Sequence, residues 1–138
     1  MSTTQFIDPG WSWDADFPLS QGIRIGDVVV LSGQVAVDGD GNIVGKNDLR
    51  AQTRQVFKNI ETILTTAGAT FDNVVKLTTF FTVDITDKKA VKDYFDVRLQ
   101  FFGEHRPAST GVQVVALAFP ELLLEVEAIA YLPLRRSQ

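Results

Sequence analysis

Residues 122–132, LLLEVEAIAYL, have the length and composition of a β-strand, yet they are apolar at both parities. Successive side chains of a strand point to opposite faces of a sheet. Leu124, Val126, Ala128 and Ala130 therefore share one face, and Leu123, Glu125, Glu127 and Ile129 the other. The first face suits a layer of helices. The second sets two carboxylates among apolar neighbours, and a charge taken out of water without a partner is costly. Each glutamate needs a partner or a task. Either both pair with Lys or Arg across strands or subunits, or stay hydrated, or one of them orients a water molecule in a cleft, as a general acid or base would.

Working outward, DVVVLSGQVAV (residues 27–37) is also apolar at both parities. Its β-branched runs Val28 to Val30 and Val35 to Val37 flank Ser32-Gly33, and Asp38 to Asn42 carries hairpin-turn chemistry, so a strand, a turn and a second strand are predicted. From Asp48 the period changes to three and four, through Leu49, Thr53, Val56, Phe57, Ile60, Ile63, Leu64 and Ala67, with Gly68 as a stop signal. That pattern predicts an amphipathic helix. Residues 73–83 read as a second long strand. A further helix is predicted from about Asp87 to Gly103, with Val91, Tyr94, Phe95, Leu99 and Phe102 on one side. GVQVVALA (111–118) and the last strand follow, joined by a turn around Pro120. The aromatic, turn-rich opening, broken by Pro9, Gly10 and Pro18, reads as an arm. The division expected is an arm over residues 1–16 and one domain over 17–138.

The order β-β-α-β-α-β-β places two helices against a sheet of five or six strands, an α+β fold. Two helices cover only one face. Strands that are apolar on both faces ask for a second cover, and the simplest is another copy of the chain. An oligomer is expected.

At 138 residues the chain is long enough for one domain that buries roughly 68% of its unfolded surface. With 45% hydrophobic and 22% charged residues it is neither disordered, collagenous nor a coiled coil. No apolar run approaches the roughly 20 residues of a membrane span, and Met1 to Gly10 lacks the order of a secretory signal. A cytoplasmic location is expected. The absence of cysteine excludes disulfides, thiolate catalysis and Cys-ligated metal. A net charge of −4, with Lys and Arg residues adjacent only at Lys88-Lys89 and Arg135-Arg136 and no basic stripe, opposes nucleic-acid binding.

Four stretches, LSGQVAVDGDGNIVG (31–45), YFDVRLQFFGEHRPAST (94–110), GVQVVALAFP (111–120) and LEVEAIAYL (124–132), together resemble the RidA (YjgF/YER057c/UK114) family of imine and enamine deaminases, also labelled endoribonuclease L-PSP. The resemblance covers about residues 17 to 132. It implies a chorismate-mutase-like fold and a homotrimer with a central barrel, whose three intersubunit clefts take a small-molecule ligand with no cofactor or metal. Glu125 matches the family's water-positioning glutamate, and Gly111 the residue whose backbone carbonyl helps to hold that water. Ser32 and Gly33 match the pocket floor, and Lys92 falls near a polar pocket position.

Two positions depart from the deaminating pattern. Where those relatives have an arginine that forks onto the substrate carboxylate, this chain has Ser109, and where they have a tyrosine at the cleft mouth it has Leu19. Replacing bidentate charge-assisted hydrogen bonds by one hydroxyl forfeits on the order of 1.5–3 kcal/mol, so a substrate other than the usual 2-imino acid is expected. Arg106 either folds back toward the cleft or makes an exposed ion pair; His105, the only histidine, either transfers protons or is a surface residue. Ser109 and Thr110 either bind a carbonyl or small anion, or form a plain turn at the strand entrance. Trp11, Trp13 and Phe17 either join Leu19 in an apolar mouth or staple the arm to the sheet. Three functions follow in order: a diverged deaminase or hydrolase acting on a small unsaturated amino compound, a non-catalytic ligand-binding trimer, and, weakest, a ribonuclease.

Overall fold

The computed structural model describes residues 4–133, so the Arg135-Arg136 pair lies outside the described residues. Six strands and two long helices follow in the order β1 (Thr4–Ile7), β2 (Gly22–Ile25), β3 (Val28–Gln34), α1 (Leu49–Thr66), β4 (Val74–Phe81), α2 (Lys88–Phe102), β5 (Ala108–Gln113) and β6 (Leu124–Tyr131). They make one sheet in the order β1-β2-β3-β6-β4-β5. Every pairing is antiparallel except β4 with β5, which run parallel. A parallel pair needs a long crossover, and α2 supplies it.

Both helices start where a carboxylate caps them: Asp48 accepts from the Ala51 N–H and Asp87 from the Lys89 N–H. Past α1, Gly68 takes φ +84°, a left-handed conformation that ends the helix. One side of α1 is buried through Val56, Phe57, Ile60, Ile63 and Leu64, which meet Leu124, Val126, Ala128 and Ala130 of β6 in a single core. The rings of Phe57, Phe71 and Phe102 close one end, with Phe71 and Phe102 centroids 4.8 Å apart.

The opposite face of the sheet has no cover within the chain. Phe6, Ile25, Val28, Val30, Ile129 and Tyr131 are all exposed there, and the register joins them into one patch, with Ile25 opposite Val28, Val28 opposite Tyr131 and Val30 opposite Ile129.

Four details differ from the sequence reading. Thr4–Ile7, read as part of a loop-like arm, pairs with β2 as an edge strand. Val35 to Val37 is not a strand: the chain leaves the sheet after Gln34, and only a bridge between Val37 and Ile43 remains of the expected hairpin. The carbonyls that a partner strand would have bonded are met by a side chain, since the Asn59 amide on α1 donates to Val35 O at 3.0 Å and Val37 O at 2.9 Å. β5 begins at Ala108 and ends at Gln113, earlier than its apolar run suggested, because its partner β4 pairs with it from Lys76 to Phe81. On α2 only Tyr94, Val97 and Phe102 are buried, leaving Val91, Phe95 and Leu99 exposed, because α2 packs at the sheet edge where only part of its apolar stripe meets the core.

Asn59→Ala removes both donors, which leaves Val37 O unpaired near the core and Val35 O with only the Val37 N–H, at about 1–3 kcal/mol for a buried carbonyl left unpaired plus a smaller cost for the second lost bond. We expect a loss of about 2–3 kcal/mol in urea denaturation, against less than about 0.5 kcal/mol for an exposed control such as Glu61→Ala on the same helix.

Candidate functional site

The edge strand β5 is exposed along its length and pairs only with β4. Because α2 crosses from β4 to β5, a cavity of about 190 Å³ opens between helix and strand. Its wall is apolar, formed by Phe81, Val83, Ile85, Val91 and Phe95. Deeper in, Tyr94 and Thr79 share a hydrogen bond between their hydroxyls at 2.7 Å. Ser109, Thr110 and Gly111 form the β5 side of this cavity. Ser109 lies in register with Leu77, whose side chain is in the core, and so on the helix side of the sheet. Thr110 sends its hydroxyl the other way, where it accepts from the Lys76 ammonium at 2.6 Å.

Glu125 belongs to a second group. It sits on β6 opposite Phe80, on the face without helices, and is half-buried. Burial pushes its carboxyl above the usual glutamate range, and the like charge of Glu127 adds to the effect. Neither glutamate makes a hydrogen bond or ion pair with another described residue. Beside Glu125 the register of β3 shifts between Leu31 and Gln34. There Gly33 leaves the room that the carboxylate occupies: a Cβ on it would lie 2.5 Å from Oε2 of Glu125. Ser32, next to it, donates its N–H to Gln21 O and its hydroxyl to Ser20 O, which brings exposed Leu19 to the same end.

The residues singled out in the sequence thus fall into two groups on opposite faces. Ser109, Thr110 and Gly111 line the α2–β5 cavity; Gly33 and Glu125 meet on the uncovered side, with Ser32 beside them and Leu19 linked to that end through the Ser32–Ser20 hydrogen bond. The others lie apart from both. Lys92 pairs with Asp96 at 2.6 Å one turn along α2. Arg106 donates to the backbone carbonyls of Gly103 and His105, and the His105 ring hydrogen-bonds Val74 O at 2.6 Å. The two tryptophans stack at 5.7 Å, and Trp13 donates to Asp38 O at 2.9 Å, stapling the arm to the turn that begins at Asp38.

One residue was missed. Arg98, on α2, donates to the hydroxyl of Ser109. Neither sequence neighbour, His105 or Arg106, reaches Ser109; the arginine that does is eleven residues earlier, brought over by the helical crossover. The signal lay in the spacing of Tyr94 and Arg98, one turn apart on the same side of α2.

The Glu125 shift has a direction that can be checked. A carboxyl whose folded pKa is raised binds its proton more tightly in the native state. Its ionisation then opposes folding as pH climbs from the ordinary carboxylate value through the raised one. Glu125→Gln is therefore expected to melt at the same temperature as wild type near pH 4 and at a higher temperature at about pH 7. A difference that does not change with pH contradicts this.

Comparison with known proteins places this arrangement. Residues 12–132 match the Endoribonuclease L-PSP family. A RutC family protein of Pyrococcus abyssi is 36% identical over 114 residues, which are 83% of this chain and 86% of the relative. The 2-iminobutanoate/2-iminopropanoate deaminase of Salmonella typhimurium is 36% identical over 116 residues, 82% of this chain and 86% of that enzyme. Among solved structures, a Rid-family protein of unknown function from Yersinia pestis superposes with a TM-score of 0.83 at 34% identity, covering 94% of this chain and 99% of the other. Six strands backed by two helices are the chorismate-mutase-like fold of such proteins, and with sequence and fold in agreement over most of its length the chain belongs to the Endoribonuclease L-PSP family, the RidA or YjgF family.

Proposed function

We propose that this protein is an imine or enamine deaminase whose working site is assembled from two copies of the chain: β5 and α2 of one hold the substrate, and Glu125 of the next handles the water. The observation that carries this reading is Glu125, a half-buried carboxyl without a partner among the described residues, kept clear by Gly33 and held above its ordinary pKa. Such a group can take a proton from water and return it. For an imine, water oxygen bonds to the C=N carbon while one of its protons passes through Glu125 to nitrogen, giving a carbinolamine; the hydroxyl proton then follows through the same carboxyl to nitrogen, the C–N bond breaks as the C=O bond forms, and ammonia leaves with a carbonyl product. For an enamine, the protonated carboxyl first delivers its proton to carbon, giving the iminium, whose N–H proton returns to the carboxylate to leave the imine.

The relative named 2-iminobutanoate/2-iminopropanoate deaminase supports the reaction class. Assembly is supported by the uncovered patch from Phe6 to Tyr131, which a second copy would bury, and the number of copies we propose is three, closing around a central barrel. Glu125 and Ser109 face opposite sides of one sheet, so a neighbouring chain is needed for them to meet. Ser109, in place of the arginine of the deaminating pattern, favours a substrate other than a short 2-imino acid. The same substitution is the ground for a second reading, a trimer that binds its ligand without turning it over. The acidic net charge disfavours ribonuclease activity.

Two measurements test the proposal. Ammonia release over a panel of imines and enamines should fall about 10²–10⁴-fold in Glu125→Gln; equal rates for the two proteins reject the mechanism. Sedimentation should report a trimer that Ile129→Lys breaks into folded or unfolded monomers. A wild-type chain that stays monomeric rejects the shared site.

A further inference from the structure

Most charged groups of α2 are satisfied within the chain. Lys89, Lys92 and Arg50 are shared between Asp93 and Asp96. Arg98 is different. Its two hydrogen-bond partners are neutral hydroxyls, those of Ser109 and Tyr94, and no described carboxylate lies within 4 Å of it. The rings of Phe95 and Phe102 lie 5.4 and 5.6 Å from its guanidinium carbon, which limits its swing and leaves N–H edges unused. Tyr94 is itself fixed by Thr79, so the chain of hydroxyls holds the guanidinium in place at the rim of the α2–β5 cavity. A cation held this way, without a counter-ion, beside an apolar recess is built to receive an anion carried on an apolar body.

The size of the recess narrows the class. An apolar cavity of roughly 150 Å³ holds a benzene ring, and this one measures about 190 Å³. We propose that Arg98 is the anion clamp of the site and that the ligand is a carboxylate with an aryl-sized apolar substituent, its acid group on Arg98 and Ser109 and its side chain against Phe81, Val83, Val91 and Phe95. Ser109 then contributes by being small: it leaves the space through which Arg98 reaches the cavity, and its hydroxyl orients the guanidinium. The proposal rests on the cavity being the substrate pocket of the reaction above, and it makes the substrate a 2-imino acid with a bulky side chain.

Binding of unreactive carbonyl counterparts separates this from catalysis. In calorimetric titrations of the full chain, phenylpyruvate should bind at least 10-fold more tightly than 2-oxobutanoate and than the neutral amide of phenylpyruvate. Arg98→Met should weaken phenylpyruvate about 10–100-fold with an unchanged melting temperature. Ala90→Trp, which fills the recess without touching the cation, should abolish binding, and Arg106→Met should leave it as in wild type. Glu125→Gln should bind at least as tightly as wild type, so a protein that releases no ammonia yet binds through Arg98 defeats the proposed reaction and not the clamp. The clamp is overturned if wild type does not bind phenylpyruvate, if Arg98→Met binds it within 2-fold of wild type, or if the neutral amide binds equally well.

Discussion

The register of β6 is the constraint on which the molecule depends. Leu124, Val126, Ala128 and Ala130 are at most 2% exposed, pressed against α1 at the centre of the sheet between β3 and β4. A slip of one residue would drive Glu125 and Glu127 into that core and bring Ile129 with them. Core burial therefore dictates that both carboxylates stand on the other face, and a strand whose helix side is packed holds them there. The position of the candidate water-handling group is a by-product of hydrophobic packing on the reverse of the same strand.

Around this rigid centre, two buried amides of α1 hold the backbone where regular pairing stops. Asn59 ties Val35 and Val37, and Gln52 donates to Gly45 O and Glu121 O while accepting from the Leu123 N–H. Both spend their N–H donors on main-chain carbonyls, while the Asn59 amide oxygen accepts from the Gln55 side chain, so the turns that enter β6 and leave β3 are anchored to the helix. Those turns flank Gly33 and Glu125. The close approach of Gly33 to the carboxylate is thereby maintained without a strand on that side to maintain it.

The two half-sites differ in their physics. On the uncovered face a lone carboxyl is desolvated beside a second one, which favours proton uptake. At the α2–β5 edge the hydrogen-bond partners of Arg98 among the described residues are hydroxyls, which favours an anion. In the proposed reaction, a carboxyl whose pKa is raised and an arginine with no carboxylate partner among the described residues would serve one charged substrate. They lie on opposite faces of one subunit, and the proposed assembly would bring them together across a subunit interface.

From sequence alone, periodicity located both helices to within a residue or two, and alternation assigned each side chain of β6 to its face, because burial on one side is written in the spacing of apolar residues. Glu125 was legible for the same reason, and the resemblance of four short stretches identified the family. Arg98 was not. A side chain on a helix reaches a strand eleven residues later only through the parallel crossover of β4, α2 and β5, and nothing local to Ser109 encodes that path. The failed hairpin at Val35 to Val37 has the same origin: β-branched residues and a good turn supply the propensity, but Asn59, from a helix two dozen residues away, captured the carbonyls. Contacts set by the period of one element are determined by the sequence, whereas contacts between elements exist only once packing has chosen which of them meet.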